Sequence, residues 1–489
     1  MPCTTLLVGK KASYDGSTLM ARNEDSGSGS FTPKKFVFVP SGEQPRRYVS
    51  VISKVEIDLP EEPMSYTAMP NALPDEGIWA AAGINEANVA MTATETLTSN
   101  PRVLGADPLH KEGIGEEDMV TLVLPYIRSA REGVLRLGSL LERYGTYEIN
   151  GIGFQDVNEV WWLESIGGHH WMAKRVPDDC YVVMPNQQGL DRFDFADAYG
   201  EKKEHLCAPD LAEFVALNHL DVAGEPGRDI RTLRDFDARG AFGSHSDSDH
   251  VYNTPRAWFM LRHLNPRTYV WEGPEADYTP QSDDLPWAMT PERRITVEDV
   301  KYVLSSYYQG TEFDPYARRG EGNRHGMYRP IGINRNNFLS ITQLRPYMPR
   351  ELQGIEWVAM GSNAFNEVVP FYTHVNDTPT YLACTGKDAD TGSFYWTNRL
   401  IAAMADSHYS QCIPHVERYQ LKLAALGHNQ IEKFDREFAS QAMEDSRAYL
   451  TDCNRIIADK ARELTVDLLN KVLYTASCGM KNGFARSDA

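Results

Sequence analysis

The sequence predicts a mixed fold of β-strands and α-helices, strand-rich from Cys3 to about Asn186 and helical beyond about Asn398. Two observations carry this. Short β-branched or apolar runs recur in the first part, each bounded by turn residues such as Asp15-Gly16 and Gly167-Gly168. In the last part, apolar residues recur at three- and four-residue spacing over long stretches. A chain of 489 residues has room for two or three domain-sized units, and its 42% hydrophobic and 24% charged content is that of a globular protein.

Thr4 to Val8 read as a buried strand, Tyr14-Asp15-Gly16-Ser17 as a turn, and Thr18 to Ala21 as the returning strand, which ends in Arg22-Asn23-Glu24-Asp25. Gly77 to Ala82 and Val89 to Thr94 read as strands flanking a turn at Asn85-Glu86-Ala87-Asn88. Asp118 to Leu141 reads as one largely helical stretch with a kink at Pro125. Val160 to Ser165 and His170 to Val176 form a hairpin around Gly167-Gly168, and Tyr181 to Met184 is the next strand. From about Gly224 to Asn337 the composition shifts to Asp, Arg, Gly and Pro, which predicts loops and short helices, one of them over Asp299 to Tyr308. Strands return at Phe338 to Thr342 and Ile355 to Met360. Leu421 to Phe438 fits an amphipathic helix with a break at Gly427, and Ala448 to Val472 fits another. These helices suit packing on the core or a contact between copies of the chain.

Charge and cysteine usage narrow the function classes. A formal net charge of −19 argues against nucleic-acid and anionic-membrane binding, both of which need basic surfaces. No apolar run approaches a membrane span, and the opening is too short for a secretory signal. The seven cysteines are scattered and form no Cys-x-x-Cys pair, the pattern of reduced thiols in a cytoplasmic protein rather than of a zinc site or a disulfide scaffold.

The richest chemistry lies at Cys3, preceded by Met1 and Pro2. Removal of those two residues would leave one residue with both a thiol and an α-amine. An α-amine titrates at about 7.7–8.0, so it can serve as base to its own thiol. The hairpin would return Arg22 and Asp25 to Cys3. There Arg22 would favour the thiolate, and Asp25 would accept a hydrogen bond from the α-ammonium or orient the amine.

This opening resembles the cysteine N-terminal-nucleophile hydrolases, which begin Cys-Thr and carry Arg-Asn-x-Asp at the end of the second strand. Within that group, Cys3 to Ser17 looks most like the C69 (formerly U34) dipeptidases, and the length fits them better than the shorter bile salt hydrolases. The resemblance implies an α+β fold: a four-layer αββα sandwich over residues 1–400, with a loop-rich insertion near 224–337, and a helical C-terminal region over 401–489. It also implies that Asn186, after Tyr181-Val182-Val183-Met184-Pro185, holds the substrate carbonyl or its oxyanion. Arg256, in Tyr252-Asn253-Thr254-Pro255-Arg256, would open a helix near the nucleophile. Asn23 is a candidate substrate-binding residue from the same motif. So is Glu95, which stands where acylases place a second oxyanion asparagine. Asn88 replaces the usual glycine of the Asn-Glu-x-Gly turn.

His245, Asp247, Asp249 and His250 are metal-ligand types, but their spacing matches no helix-borne zinc motif, so no metal and no organic cofactor is expected. The expected activity is hydrolysis of dipeptides through a Cys3 thioester. The runner-up is an acylase-type amidase acting on bile salts or penicillin V, and the third reading is a non-catalytic, secernin-like homologue. Dipeptides are the expected partners, without nucleic acid or membrane, with a homo-oligomer left open.

Overall fold

The computed structural model describes residues 3–73, 78–317, 324–440 and 443–481, without the side chains of Thr94 and Glu95. The predicted hairpin is present as β1 (Cys3–Val8) and β2 (Thr18–Asp25), paired antiparallel. Gly16 closes the turn at φ 85°, and Asp15 accepts hydrogen bonds from Ser17 N at 3.0 Å and Ser17 Oγ at 2.9 Å.

Eleven further strands complete two sheets. They are β3 (Ala82–Ile84), β4 (Ala90–Thr96), β5 (Asn150–Gln155), β6 (Val160–Ser165), β7 (Trp171–Arg175), β8 (Tyr181–Met184), β9 (His205–Cys207), β10 (Ala288–Met289), β11 (Asn336–Leu344), β12 (Gly354–Met360) and β13 (Val369–Tyr372). One sheet runs β10-β8-β1-β2-β11-β12-β13 and the other β9-β7-β6-β5-β4-β3, with antiparallel neighbours throughout. The hairpin is thus near the centre of the first sheet, and β1 and β2 pack against β4 and β5 of the second.

Strand alternation sorts the hairpin into two cores. Leu7 and Met20 point to the second sheet, while Leu6, Val8, Leu19 and Ala21 point the other way into a larger cluster. Close approach of the sheets needs glycine at 153, where a Cβ would stand 2.6 Å from Met20 Sδ. Helix α2 (Ala130–Tyr144) packs on β5, β6 and β7. On the first sheet lie α3 (Thr254–Leu264) against β8 and α4 (Val297–Leu304) against β1, β2 and β11.

The stretch read as one helix from Asp118 to Leu141 is two: α1 (Glu116–Val123) and α2. Pro125 sits in a tight turn over Leu124–Tyr126, and Ser129 Oγ caps α2 by accepting Glu132 N at 3.1 Å, so both local signals favour a break. Of the predicted strand Gly77 to Ala82 only its end forms, as β3; Gly77 lies outside the described residues, and Trp79 and Ala81 take φ of 44° and 60°. Asn88 adopts φ 55°, the conformation for which it was read as a glycine substitute.

Three helices end the described chain: α5 (Phe394–Ser407), α6 (Tyr409–Ser440) and α7 (Ser446–Cys478). Gly427 does not break α6. It lets the helix lie against Pro370 and Trp357, where a Cβ would come within 2.8 Å of the proline ring. Val416, Leu423 and Val472 share one core with Trp357 and Phe371 of the sheet. Among the described residues no helix is long and apolar enough to cross a membrane, and none of the seven cysteines is in a disulfide.

Candidate active site

The register of the hairpin decides what surrounds Cys3. Cys3 pairs with Glu24 and Thr5 with Arg22, so Arg22 and Glu24 share the face of Cys3. Arg22 Nη2 donates to Cys3 Sγ at 2.9 Å and to Glu116 Oε1 of α1 at 3.0 Å. Its Nη1 bonds the carbonyls of Ala81 and Ala93, which pin the guanidinium from the second sheet. A positive charge fixed beside sulfur stabilises a thiolate.

Asn186 and Arg256 close the other side. Cys3 N donates to Asn186 Oδ1 at 3.2 Å. Arg256 Nη2 donates to the same oxygen at 2.8 Å and to Asn253 Oδ1 at 2.6 Å. Arg256 Nη1 bonds the Cys3 carbonyl and donates to Thr4 Oγ1 at 2.7 Å. Two donors on Oδ1 orient the amide, which leaves Asn186 Nδ2 buried with no hydrogen-bond partner among the described residues. Asn253 precedes α3 and Pro255 lies in its first turn, as the sequence predicts, and this start aims Arg256 at β1.

Two of the predicted site residues lie elsewhere. Asn23 and Asp25 fall on the opposite face of β2, because side chains alternate along a strand. Asn23 Nδ2 donates to the carbonyls of Leu304 at 3.0 Å and Ile331 at 3.3 Å. The Asp25 carboxylate pairs with Arg329 and accepts from Asn336, rather than meeting the Cys3 nitrogen. Its link to the thiol is indirect: Arg329 lies over the Tyr252 ring, and Tyr252 O accepts from Arg256 Nε at 2.7 Å. The Glu95 side chain lies outside the described residues.

The acidic loop with metal-ligand composition turns out to be a support. Asp249 accepts from Ser244 Oγ at 2.6 Å and from Ser246 N at 3.0 Å, and also holds Asn253 Nδ2. That Nδ2 donates onward to Asn186 O at 3.1 Å. His245 and His250 bond Arg239 O and Asp283 instead, and among the described residues no group of three His, Cys, Asp or Glu could hold a metal. The sequence reading passed over Glu116, Glu24 and Lys34. The available signal for Glu116 was the run Glu116-Glu117-Asp118 at a helix start; these acids are buried, not solvated.

Glu164 fixes the turn that follows Asn186. Its Oε1 accepts from Gly189 N at 2.8 Å, Leu190 N at 3.2 Å and Trp162 Nε1 at 2.9 Å. Burial pushes this carboxyl up to about 7, against the pull of those N–H groups. The folded chain therefore holds the proton more tightly than the unfolded chain. The stabilisation is full below the unfolded value of 4.5 and is lost as pH rises through about 7. Glu164→Gln is expected to gain on the wild type by up to about 3 kcal/mol between pH 4.5 and 7.5. Urea unfolding of both proteins at the two pH values checks this; a pH-independent difference would contradict it.

Comparison with known proteins places the chain. The profile of peptidase family C69 matches residues 2–422. A protein named "Dipeptidase" from Bifidobacterium longum (strain NCC 2705) is 52% identical over 538 residues, covering 100% of both chains. A "Probable dipeptidase A" from Streptococcus pyogenes serotype M3 (strain SSI-1) is 51% identical over 488 residues, again covering 100% of both. "Dipeptidase A" from Lactobacillus helveticus is 41% identical over 477 residues, 96% of each chain. With a family match running from beside Cys3 through the sheets into α6, and relatives aligned from end to end, the chain belongs to peptidase family C69.

Proposed function

We propose that this peptidase is a cytoplasmic dipeptidase whose nucleophile is Cys3, freed by removal of Met1 and Pro2. The observation that carries the reading is the Arg22 guanidinium 2.9 Å from Cys3 Sγ, opposite an Asn186 amide that receives Cys3 N and keeps its own N–H₂ unspent. Relatives named dipeptidase, aligned over the full chain, supply the substrate class. The free α-amine, held by Asn186 Oδ1, takes the thiol proton by way of a water molecule, and Arg22 steadies the thiolate. The sulfur attacks the peptide carbonyl. Asn186 Nδ2 donates to the oxygen as charge develops on it. The nitrogen leaves with a proton from the α-ammonium, and water then cleaves the thioester. Arg256 holds Asn186 and the Cys3 backbone in place. Asp25 acts through Arg329 and Tyr252 on that charge network. In this reading no metal or cofactor takes part.

The two facing sheets and their outer helices support the αββα arrangement of the N-terminal-nucleophile hydrolases. Residues 1–400 then form the catalytic core, and 224–337 an insertion that contributes Arg256. Residues 401–489 extend the core as its helical end.

The reading is tested by incubating the purified protein with a panel of free dipeptides, glycine-conjugated bile salt and penicillin V, and quantifying products by mass spectrometry. Free amino acids from dipeptides, with the other two intact, are expected. Cleavage of the bile salt or the penicillin with no dipeptide turnover would replace the reading with an acylase.

A further inference from the structure

The residue directly across the ladder from the nucleophile is Glu24. Cys3 sends its N–H to Asn186, away from β2, so Cys3 and Glu24 form the non-hydrogen-bonded kind of antiparallel pair. In that kind of pair Cα atoms stand about 4.5 Å apart and side chains are closest. Glu24 is fully buried. Its Oε1 is occupied by Lys34 Nζ at 3.1 Å and by Asn337 Nδ2 at 3.3 Å. Its Oε2 accepts no hydrogen bond from the described residues, and Arg22 Nη2 stands 3.6 Å away, beyond bonding distance. A buried carboxylate oxygen left without a donor is costly, which makes it a place where a ligand's donor is missing.

The chemistry of a dipeptide identifies that donor. Its α-ammonium is two bonds from the scissile carbonyl carbon. With that carbon on Cys3 Sγ, the ammonium must lie beside the nucleophile and needs an acceptor there. Asn186 Nδ2, Arg22 and Arg256 are donors. Glu24 Oε2 is an anionic acceptor on the same face. An acylase substrate has no ammonium at this position and needs no such group.

We propose that Glu24 reads the free amino terminus of the substrate, its Oε2 accepting a hydrogen bond from the α-ammonium while Lys34 holds Oε1. This rests on Cys3 as the nucleophile and adds the residue that separates free from blocked peptides. Losing one partner of a buried charged hydrogen bond weakens recognition by about 100-fold.

Wild type and Glu24→Gln are prepared with a cleavable leader that ends just before Cys3, so that maturation does not depend on Glu24, and each mass is checked. kcat/KM is then measured on free dipeptides and on their N-acetyl derivatives. Wild type is expected to favour the free form strongly. Glu24→Gln is expected to lose about 100-fold on it, chiefly through KM, and to stay within about threefold on the acetylated form, with Glu24→Asp recovering part of the loss. If Glu24→Gln does not fold beside the unpaired Lys34, the double variant E24Q/K34M removes both buried charges and is scored in the same way. An unchanged preference for free over acetylated substrate in either variant overturns the proposal and leaves peptide hydrolysis standing. So does a wild type that cleaves both forms equally. A wild type with free Cys3 that cleaves neither overturns the nucleophile reading as well.

Discussion

Cys3→Ala is expected to lose peptide hydrolysis by at least about 10⁴-fold, because the attacking atom is gone and the residual groups only bind and polarise. The same substitution carries a second readout. Purified wild type is expected to weigh less than the encoded chain by Met1 and Pro2, because a Pro2 amide on the Cys3 nitrogen would remove the base. The alanine variant is expected to retain Pro2 if the thiol itself attacks the Pro2 carbonyl, and to lose it if another peptidase trims the chain. Fold is not at stake in this variant: Cys3 sits at the head of β1, and alanine keeps the Asn186 bond through its backbone N–H. Intact mass and dipeptide turnover on the two proteins decide the matter. An active wild type that keeps Pro2 would end the N-terminal-nucleophile mechanism.

Asn186→Asp is the sharper test of the proposed oxyanion site. Aspartate keeps an oxygen where Oδ1 now accepts Cys3 N and Arg256 Nη2, so the support from Arg256 and Asn253 stays in place. It replaces Nδ2, the unspent donor, with an acceptor. Loss of one oxyanion donor costs about 10²–10³ in kcat, or about 3–4 kcal/mol, and a negative oxygen facing the developing charge adds to that. KM is expected to move little and the melting temperature to stay near that of the wild type. A rise in KM with kcat unchanged would show instead that Asn186 binds the ground state as tightly as the transition state and has no special claim on the latter.

The hairpin was the most legible part of the site. Asp15-Gly16 sets the turn, and once the turn is set, alternation along β2 places Arg22 on the face of Cys3. The same rule, carried through, puts Asn23 and Asp25 on the opposite face. Composition did not warn of that, since all four residues of the run are polar. Arg256 was legible as a helix start after Asn253 and Pro255, but its target was not, because 253 residues separate it from Cys3. The partner of Asp249 was not legible for a related reason. Ligand-type residues in a polar loop look alike in sequence whether they hold a metal or, as here, hold Asn253 behind Asn186.

The order of residues alone determined the local chemistry: a cysteine two residues from the start, the turn that folds a strand back on it, and the helices of the C-terminal end. These depend on propensities and spacings that act over a few residues. Only the tertiary structure decided which charges meet at the thiol. Glu116 reaches Arg22 from the start of α1, Lys34 reaches Glu24, and Asn186 reaches Cys3 over 183 positions of chain. Charges that lie far apart along the chain become partners only when packing removes them from water. A buried charge is then costly unless an opposite charge or hydrogen-bonding group is brought to it, so the fold selects those partners as it closes.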